Sequence, residues 1–497
     1  MGLHNLANQI DSATGAGDEQ QLGDAIAVIQ ISFKKASPTE RAALCFFCAN
    51  AHAGKFHIQN RRNHLEALDD LRKSELFYLR KAELEIIEHG LYDLLHDVFP
   101  KILTNIGGIL SYVGRPCEAV EYWTRAIEID PNFAMALGNR GYGLFYYAGI
   151  LYDEGHRLTF LSFIKEDLDK ALENGPEPRA IDGFKHCADQ VTKQIEVYKI
   201  PTADMDSFSI GESKEEIAFR SWCLLNRLFL NPLNDLGAFH IAASDPLGCP
   251  SLSMSIEISQ PIYHLFFNQL KQEFVTARFL LFEGLQTTET HFADRETYLH
   301  NSSDYPVYSI RAEKLKTSFR IAYSLFDKIA FMLNDYLELG ITEKRISFRG
   351  IWYLNQDQKK DLLPQFKTIE NWPLNGLLWL PKDLYSEEFQ NNVLPEAKEL
   401  HKIRNHIEHK NFKLISDMYG EIYDSKEFPD SSRKDPFAHA LPEDQFKQKA
   451  LRLLKMARSA LIYLSLAMHL EEQKRDLVTE GMGVPMDLDT YSDDWKV

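Results

Sequence analysis

The stretch PKILTNIGGILSYVGRPCEAVEYWTRAIEIDPNFAMALGNRGYG, residues 100–143, decides the fold of the first part of the chain. Leu103, Gly107, Gly114, Ala119, Trp123, Ala126 and Pro131 mark out one unit, and Leu137 and Gly141 restart the order 34 residues on. A fixed period of that length is the signature of stacked helical hairpins. The residue types make physical sense in such a hairpin. Gly107, Ala119 and Ala126 let two helices approach closely, Trp123 fills the groove between them, and Pro131 opens the next unit.

This pattern resembles the tetratricopeptide repeat. A weaker unit stands upstream, with Leu44, Cys48 and Ala67 in repeat positions. The second unit is stretched, because Ala171 and Pro176 come late, after an insertion around YDEGHRLTF (152–160) that is expected to be dispensable for the fold. Residues 25–198 are therefore read as a short helical solenoid, preceded by a polar segment over residues 1–24. The usual work of a solenoid is to hold a protein or peptide ligand in its concave face.

Length and composition bound the rest. A chain of 497 residues exceeds one ordinary core. Hydrophobic content of 44% and charged content of 26% are those of a globular protein. No uninterrupted apolar run reaches the roughly 18 residues needed to cross a bilayer, and the opening MGLHNLANQIDSATGAG has no apolar signal-peptide core. No membrane association is expected. Six cysteines in so long a chain do not make a disulfide framework, so a reducing cytoplasm is the expected location. The net charge of −17 argues against coating nucleic acid through the whole surface, yet leaves room for a small basic cleft.

IPTADMDSFSIGESK collects Pro, Gly, Ser and Asp without helical periodicity and reads as a linker over residues 199–214. The tract WCLLNRLFLNPLNDLGAFH (222–240) follows, and then four amphipathic helical patterns at 260–285, 309–339, 394–415 and 442–473. Four such helices suggest an antiparallel bundle, here over residues 215–477. An aromatic-rich insertion, RISFRGIWYL to NGLLWLPKDLY, separates the second from the third and is expected to cover one side. An acidic tail, 478–497, closes the chain. The fold class is all-α.

The third pattern contains HKIRNHIEHKNF, residues 401–412. At 100° per residue, Leu400, Ile403, Ile407 and Leu414 fall within about 60° of one another and form the core stripe. His401, Arg404, Asn405, Glu408 and His409 occupy an arc of about 140° on the other side, flanked by Lys402, His406, Lys410 and Lys413. Periodicity alone reads that arc as a solvated helix face. A second reading comes from Arg404-Asn405-His406-Ile407-Glu408-His409, which has the form R-N-x3-H. This resembles the R-x4-6-H motif of the HEPN superfamily (higher eukaryotes and prokaryotes nucleotide-binding), where a polar residue often follows the arginine. Its place in the third long helix of a four-helix bundle fits, and WCLLNRLFLNPLNDL is similar to the opening of a bacterial subfamily often joined to tetratricopeptide repeats. The resemblance covers roughly residues 215–475.

The resemblance implies a metal-independent endoribonuclease. In that family the 2′-OH of RNA attacks the adjacent phosphate and leaves a 2′,3′-cyclic phosphate, with no cofactor and no metal. Arg404 and His409 would be catalytic together with Asn405, which would orient the phosphate or the histidine, while His401, Lys402, His406, Glu408 and Lys410 would support RNA binding. Imidazole supplies a proton acceptor and donor near neutral pH, and a guanidinium supplies a forked cation for phosphate oxygens. The resemblance also implies a homodimer through the bundle, because two protomers bring their motifs to one cleft. Its setting is bacterial anti-phage defence or a toxin–antitoxin-like system. The other class left open is a non-catalytic adaptor, whose repeats bind a peptide or protein while the bundle dimerises or binds nucleotide.

Other candidates carry less. Lys449, Arg452, Lys455 and Arg458, spaced by three, read either as a solvated face or as a path for RNA. Cys45-x2-Cys48 with His52 and His57 invites zinc, although both cysteines fall in an apolar helical run. No phosphate-binding glycine loop or nucleophile elbow is present. Asp327 and Glu283 could each be a buried cap or a supporting residue of the site.

Overall fold

A computed structural model describes residues 3–61, 68–198, 204–253, 260–287, 289–300, 305–355, 360–367, 370–384, 397–417, 435, 437–476 and 488–496. It is overwhelmingly helical. The first part runs through α1 (Leu3–Ala16), α2 (Glu19–Ser32), α3 (Pro38–Arg61), α4 (Leu68–Glu88), α5 (Phe99–Tyr112), α6 (Pro116–Ile129), α7 (Ala134–Gly149), α8 (Glu154–Glu173) and α9 (Pro178–Tyr198). Next come α10 (Lys214–Leu225), the short α11 (Leu233–Leu236), α12 (Ile262–Gln286) and α13 (Ile310–Tyr336). The inserted segment holds a short antiparallel pair, β1 (Tyr353–Asn355) and β2 (Lys360–Leu362), then α14 (Pro364–Lys367), α15 (Trp372–Trp379) and α16 (Pro381–Leu384), and the chain ends through α17 (Ala397–His409) and α18 (Glu443–Asp476).

Consecutive hairpins α5/α6 and α7/α8 stack as the repeat spacing requires, which is compatible with tetratricopeptide-like repeats. Trp123 is the wedge. A Cβ on Gly107 would meet its ring at 2.6 Å and one on Gly143 at 2.3 Å, so only glycine lets both helices close on the indole. Its Nε1 donates to the Thr104 carbonyl at 3.1 Å.

Two expectations for this part need correction. Residues set apart as a polar opening segment fold as α1 and the start of α2, with Leu6, Ile10, Ala13 and Leu22 buried against one face of α3. The supposed insertion at Asp153–Phe160 is instead part of the packed fold. Asp153 caps α8 by accepting from the His156 amide at 2.8 Å, and Phe160, fully buried, meets the Tyr147 ring edge-on at 5.2 Å. The second unit is long because α8 is a longer helix. The upstream position Ala67 lies outside the described residues.

In the bundle, α12 packs along α13, and both contact α18. Helix α18 contains a stretch long and apolar enough to cross a membrane, and most of that stretch is buried inside the protein. An all-round apolar helix is what a central core position requires. The third pattern, expected to stay helical to residue 415, stops at His409. Asn411–Ile415 is instead a strand, β3, paired in parallel with β4 (Ala438–Pro442) from Asn411↔Ala438 to Ile415↔Pro442. Leu414 is buried as expected, but from the strand.

Repeats and bundle share one hydrophobic core, continuous from Ala42 in α3 to Met468 in α18. The inserted segment is the joint. Gly114, at φ +87, turns the chain between α5 and α6, and a Cβ there would strike the Trp372 carbonyl oxygen at 1.8 Å. Asp383 in α16 accepts from Arg80 at 2.8 Å and from Arg115 at 2.7 Å, all three side chains being buried. Burial would raise the Asp383 carboxyl, but the two guanidinium charges outweigh it and hold the group well below the usual carboxylate range. The stripe on α18 reaches that seam through Lys455, while Lys449 and Arg458 find partners within the bundle. Lys455 pairs with Glu121 at 2.6 Å, Arg458 with Asp235 at 2.6 Å and Lys449 with Glu399 at 2.8 Å. Those three cations answer carboxylates of this chain and so do not read as a plain solvated face.

Candidate functional site on helix α17

Helix α17 buries Leu400 and Ile403, with Ile407 packed against the same core. That fixes which way the other face points. Beside it, α13 presents Arg320, Tyr323, Ser324 and Asp327, and together with Phe266 and Phe331 they wall a cleft of about 380 Å³ that takes in Arg404 and Glu408.

Arg404 is half-buried at this cleft. Its Nη1 donates to Asn405 Oδ1 at 3.2 Å, and its guanidinium lies 5.6 Å from the centre of the Tyr323 ring. The amide of Asn405 donates in turn to His401 Nε2 at 3.0 Å, and His401 Nδ1 faces the Tyr323 hydroxyl at 3.3 Å. With Nε2 accepting, Nδ1 carries the proton, and the chain Arg404–Asn405–His401–Tyr323 is satisfied in one sense throughout. Among the described residues no carboxylate is in ion-pair contact with Arg404. Glu408 is taken by Arg320 at 3.1 Å. Asp327 accepts from the Phe348 amide at 3.0 Å, and burial raises its carboxyl above the usual range against the opposing effects of that amide and of the Arg404 charge. The cation is held in place, and among the described residues no carboxylate closes an ion pair with it.

The other sequence-predicted residues divide. His409 is exposed at the end of α17 and does not line the cleft, five residues or about 7.5 Å of helix rise beyond Arg404. Lys402 and Lys410 are exposed. His406 lies on the flank, its Nδ1 against the Lys402 carbonyl at 2.8 Å and its ring 5.2 Å from His439. Burial, with the charges of Lys402 and His406, lowers His439 to about 4.

Sequence reasoning missed Tyr323, Arg320 and the pair Phe266–Phe331, whose rings are stacked at 5.9 Å with Phe331 43% exposed. The signal was available only in part: an arginine and a tyrosine three apart on α13 gain meaning once α17 is packed beside them. The two open residues also resolve. Asp327 belongs to the cleft, whereas Glu283 pairs with Lys314 at 3.1 Å at the end of α12. The cysteine–histidine group does not converge. Cys45 and Cys48 are buried in different cores, and His52 stacks on Tyr78 at 5.7 Å. Among the described residues no cluster of three metal-ligating side chains occurs.

Residues 255–471 match the family model described as LA2681-like HEPN. This region is a HEPN-superfamily domain. The match takes in α12, α13, the inserted segment, α17, β3, β4 and most of α18, while the tract WCLLNRLFLNPLNDL lies outside it. Neither curated proteins nor solved structures gave a match to the chain. Membership points to an RNA-cleaving or nucleotide-binding role for the HEPN domain.

Proposed function

We propose that the HEPN domain is a metal-independent endoribonuclease acting as a homodimer, with the repeats binding a peptide or protein that controls it. The observation that carries this reading is Arg404: a guanidinium fixed by Asn405 and the Tyr323 face, open to a cleft, with no carboxylate among the described residues in ion-pair contact with it. Such a group suits the charge that gathers on phosphate oxygens during phosphoryl transfer. Phe331 beside it offers an exposed ring on which an unpaired base can stack.

The chemistry then runs as follows. The 2′-hydroxyl oxygen bonds to phosphorus while the bond from phosphorus to O5′ breaks. One imidazole takes the 2′ proton and another delivers a proton to O5′, leaving a 2′,3′-cyclic phosphate and a 5′-hydroxyl. His409 of each protomer supplies one imidazole. Within one chain His409 stands outside the cleft that holds Arg404, so a second copy of α17 is required to complete the site. Anti-phage defence or a toxin–antitoxin-like system in a bacterial cytoplasm is the setting this activity would serve. The same separation of His409 from Arg404 favours the second reading, an adaptor whose bundle dimerises or binds nucleotide without cleaving.

Incubation of the full chain with total RNA in EDTA, followed by analysis of product ends, separates the two. Cyclic phosphate and 5′-hydroxyl termini support the ribonuclease. Intact RNA, or a protein that sediments only as monomer at micromolar concentration, counts against it.

A further inference from the structure

The cleft beside α17 runs past Arg404, and its far end is aromatic. Along α13, Arg320, Tyr323, Ser324, Asp327 and Phe331 recur every three or four residues and line it together. From Arg320 to Phe331 that face covers about 16 Å of helix rise. The Arg320–Glu408 pair closes one end, and Phe266 with Phe331 forms the other. Arg404 stands between them, against the Tyr323 ring and close enough to Asp327 for its charge to act on that carboxyl. One helical turn, about 6 Å of rise, separates Asp327 from Phe331. A cation, a carboxyl and an open ring in that order match the phosphate, the base edge and the base face of one nucleotide.

Phe266 backs Phe331, the two rings 5.9 Å apart and within 27° of parallel, and Phe331 stays 43% exposed. An aromatic ring supported in this way is a stacking platform. The polar groups beside it differ in what they can still accept. Gln269 donates to Glu273 at 3.1 Å, and Glu273 also takes Lys328 at 2.6 Å. Asp327 Oδ1 accepts from the Phe348 amide at 3.0 Å, and Oδ2 takes no hydrogen bond among the described residues. An ionised carboxylate only accepts, through about four lone-pair sites. It favours a base edge that presents two donors side by side and repels one that sets an acceptor next to its donor. Guanine has the first kind of edge, with N1–H beside N2–H. Adenine, cytosine and uracil have the second. Burial raises the Asp327 carboxyl, and two donors bonded to it would favour the charged form again.

We propose that this cleft is a subsite for a guanine nucleotide in an unpaired stretch of RNA, the base stacked on Phe331, its Watson–Crick edge on Asp327 and a phosphate on Arg404. The choice of RNA rests on the ribonuclease reading, whereas the base contacts can be tested without any cleavage. Paired RNA is refused, because cytosine already occupies the edge that Asp327 reads. Phe331 supplies affinity for any base, and Asp327 supplies the selection.

The test is calorimetry on the full chain with the 5′-monophosphates of guanosine, inosine and adenosine (GMP, IMP and AMP) and with a 2′-O-methyl RNA carrying one unpaired guanine. GMP should bind at least about tenfold more tightly than AMP, as expected for hydrogen bonds to a charged group. IMP, which lacks the N2 amine, should fall between them. Asp327→Asn keeps the Phe348 bond through its carbonyl and turns an N–H toward the base, so the preference for GMP should vanish or reverse at unchanged Tm. Phe331→Ala should weaken all three about tenfold or more. Tighter binding of the RNA than of GMP supports RNA as the source, and the opposite order overturns that assignment. Guanine-selective binding without cleavage of any RNA would sink the ribonuclease reading and leave the subsite standing. Equal affinity for GMP and AMP, or a preference that survives Asp327→Asn, overturns the subsite even if RNA is cleaved.

Discussion

Arg115 and Arg404 carry the same guanidinium into opposite surroundings. Arg115 is 1% exposed and donates to Asp383 and Glu118, deep between repeats and bundle. Arg404 touches an amide and a ring face at an open cleft. A cation taken out of water must be answered on the spot, since an unpaired buried charge costs several kcal/mol. At a cleft wall, water answers it and can be displaced by a ligand. The first arginine therefore reads as structure and the second as chemistry, although nothing in their local sequence separates them. The stripe Lys449–Arg452–Lys455–Arg458 makes the same point, for its spacing suits a basic path, yet Lys449, Lys455 and Arg458 are each paired with a carboxylate of this chain.

The comparison breaks most visibly if the seam is removed. Deleting residues 1–198 would strip the shared core and leave Asp383 without Arg80 and Arg115. The expected outcome is a product that aggregates or melts without cooperativity in circular dichroism. A bundle that melts sharply alone would show the seam to be an ordinary docking surface.

At the cleft, Arg404→Ala and His409→Ala should lower RNA cleavage by about 10²–10⁴-fold, the usual worth of a general acid–base or charge-stabilising group. Folding should change little, because both side chains stand off the core stripe and surface changes usually cost within about 0.5 kcal/mol. Cleavage rates measured at matched folded fraction check this. Wild-type activity in His409→Ala would return the R-N-x3-H face to plain solvation.

Asp383→Asn reverses the pattern, with a stability effect and no direct part in cleavage. It leaves two buried guanidiniums facing an amide, so a loss of about 3–5 kcal/mol is expected in denaturant melts. The wild type carries a matching pH signature. A carboxyl whose folded pKa is depressed stabilises fully above its unfolded value near 3.9 and loses that contribution as pH falls below it. The difference between wild type and Asp383→Asn should therefore narrow below about pH 4. A constant difference down to pH 2 would remove the charge from the explanation.

What the sequence disclosed follows from the range over which its signals act. The hairpin around Trp123 was legible because Gly107 and the indole that needs it lie within one repeat. The helices α12, α13 and α18 were legible from one-face periodicity, reinforced at α13 by Ser309, whose side chain caps the Ala312 amide. The end of α17 was not. Leu414 falls on the core side whether the helix runs on or a strand begins, and the partner that decides it is β4, beyond residue 437. The seam was illegible for the same reason, since Asp383 meets arginines 303 and 268 residues away. Within the candidate site, Arg404, Asn405 and His409 were singled out by the resemblance of R-N-x3-H to the HEPN motif and not by periodicity, whereas Tyr323 and Phe331 needed the packing of α13 beside α17.

The smallest effect is expected at His406, and it sharpens the comparison within the α17 face itself. His406 is half-buried on the flank, against the Lys402 carbonyl and the His439 ring, and it does not line the cleft. His406→Ala should leave cleavage within a few-fold of wild type. Its trace should appear instead in acid stability. His439 titrates near 4 in the folded protein because burial and the nearby charges of Lys402 and His406 disfavour its cation. A group whose folded pKa lies below its unfolded value near 6.5 makes the protein lose stability as pH falls from 6.5 towards 4, where only the unfolded chain takes the proton. Removing His406 removes one of those charges, so His439 should titrate higher by NMR and the loss between pH 6.5 and 4 should be smaller. A fall in cleavage as deep as that of His409→Ala would mean that the whole histidine-rich face acts together, and the distinction between Arg404 with His409 and their neighbours would be lost.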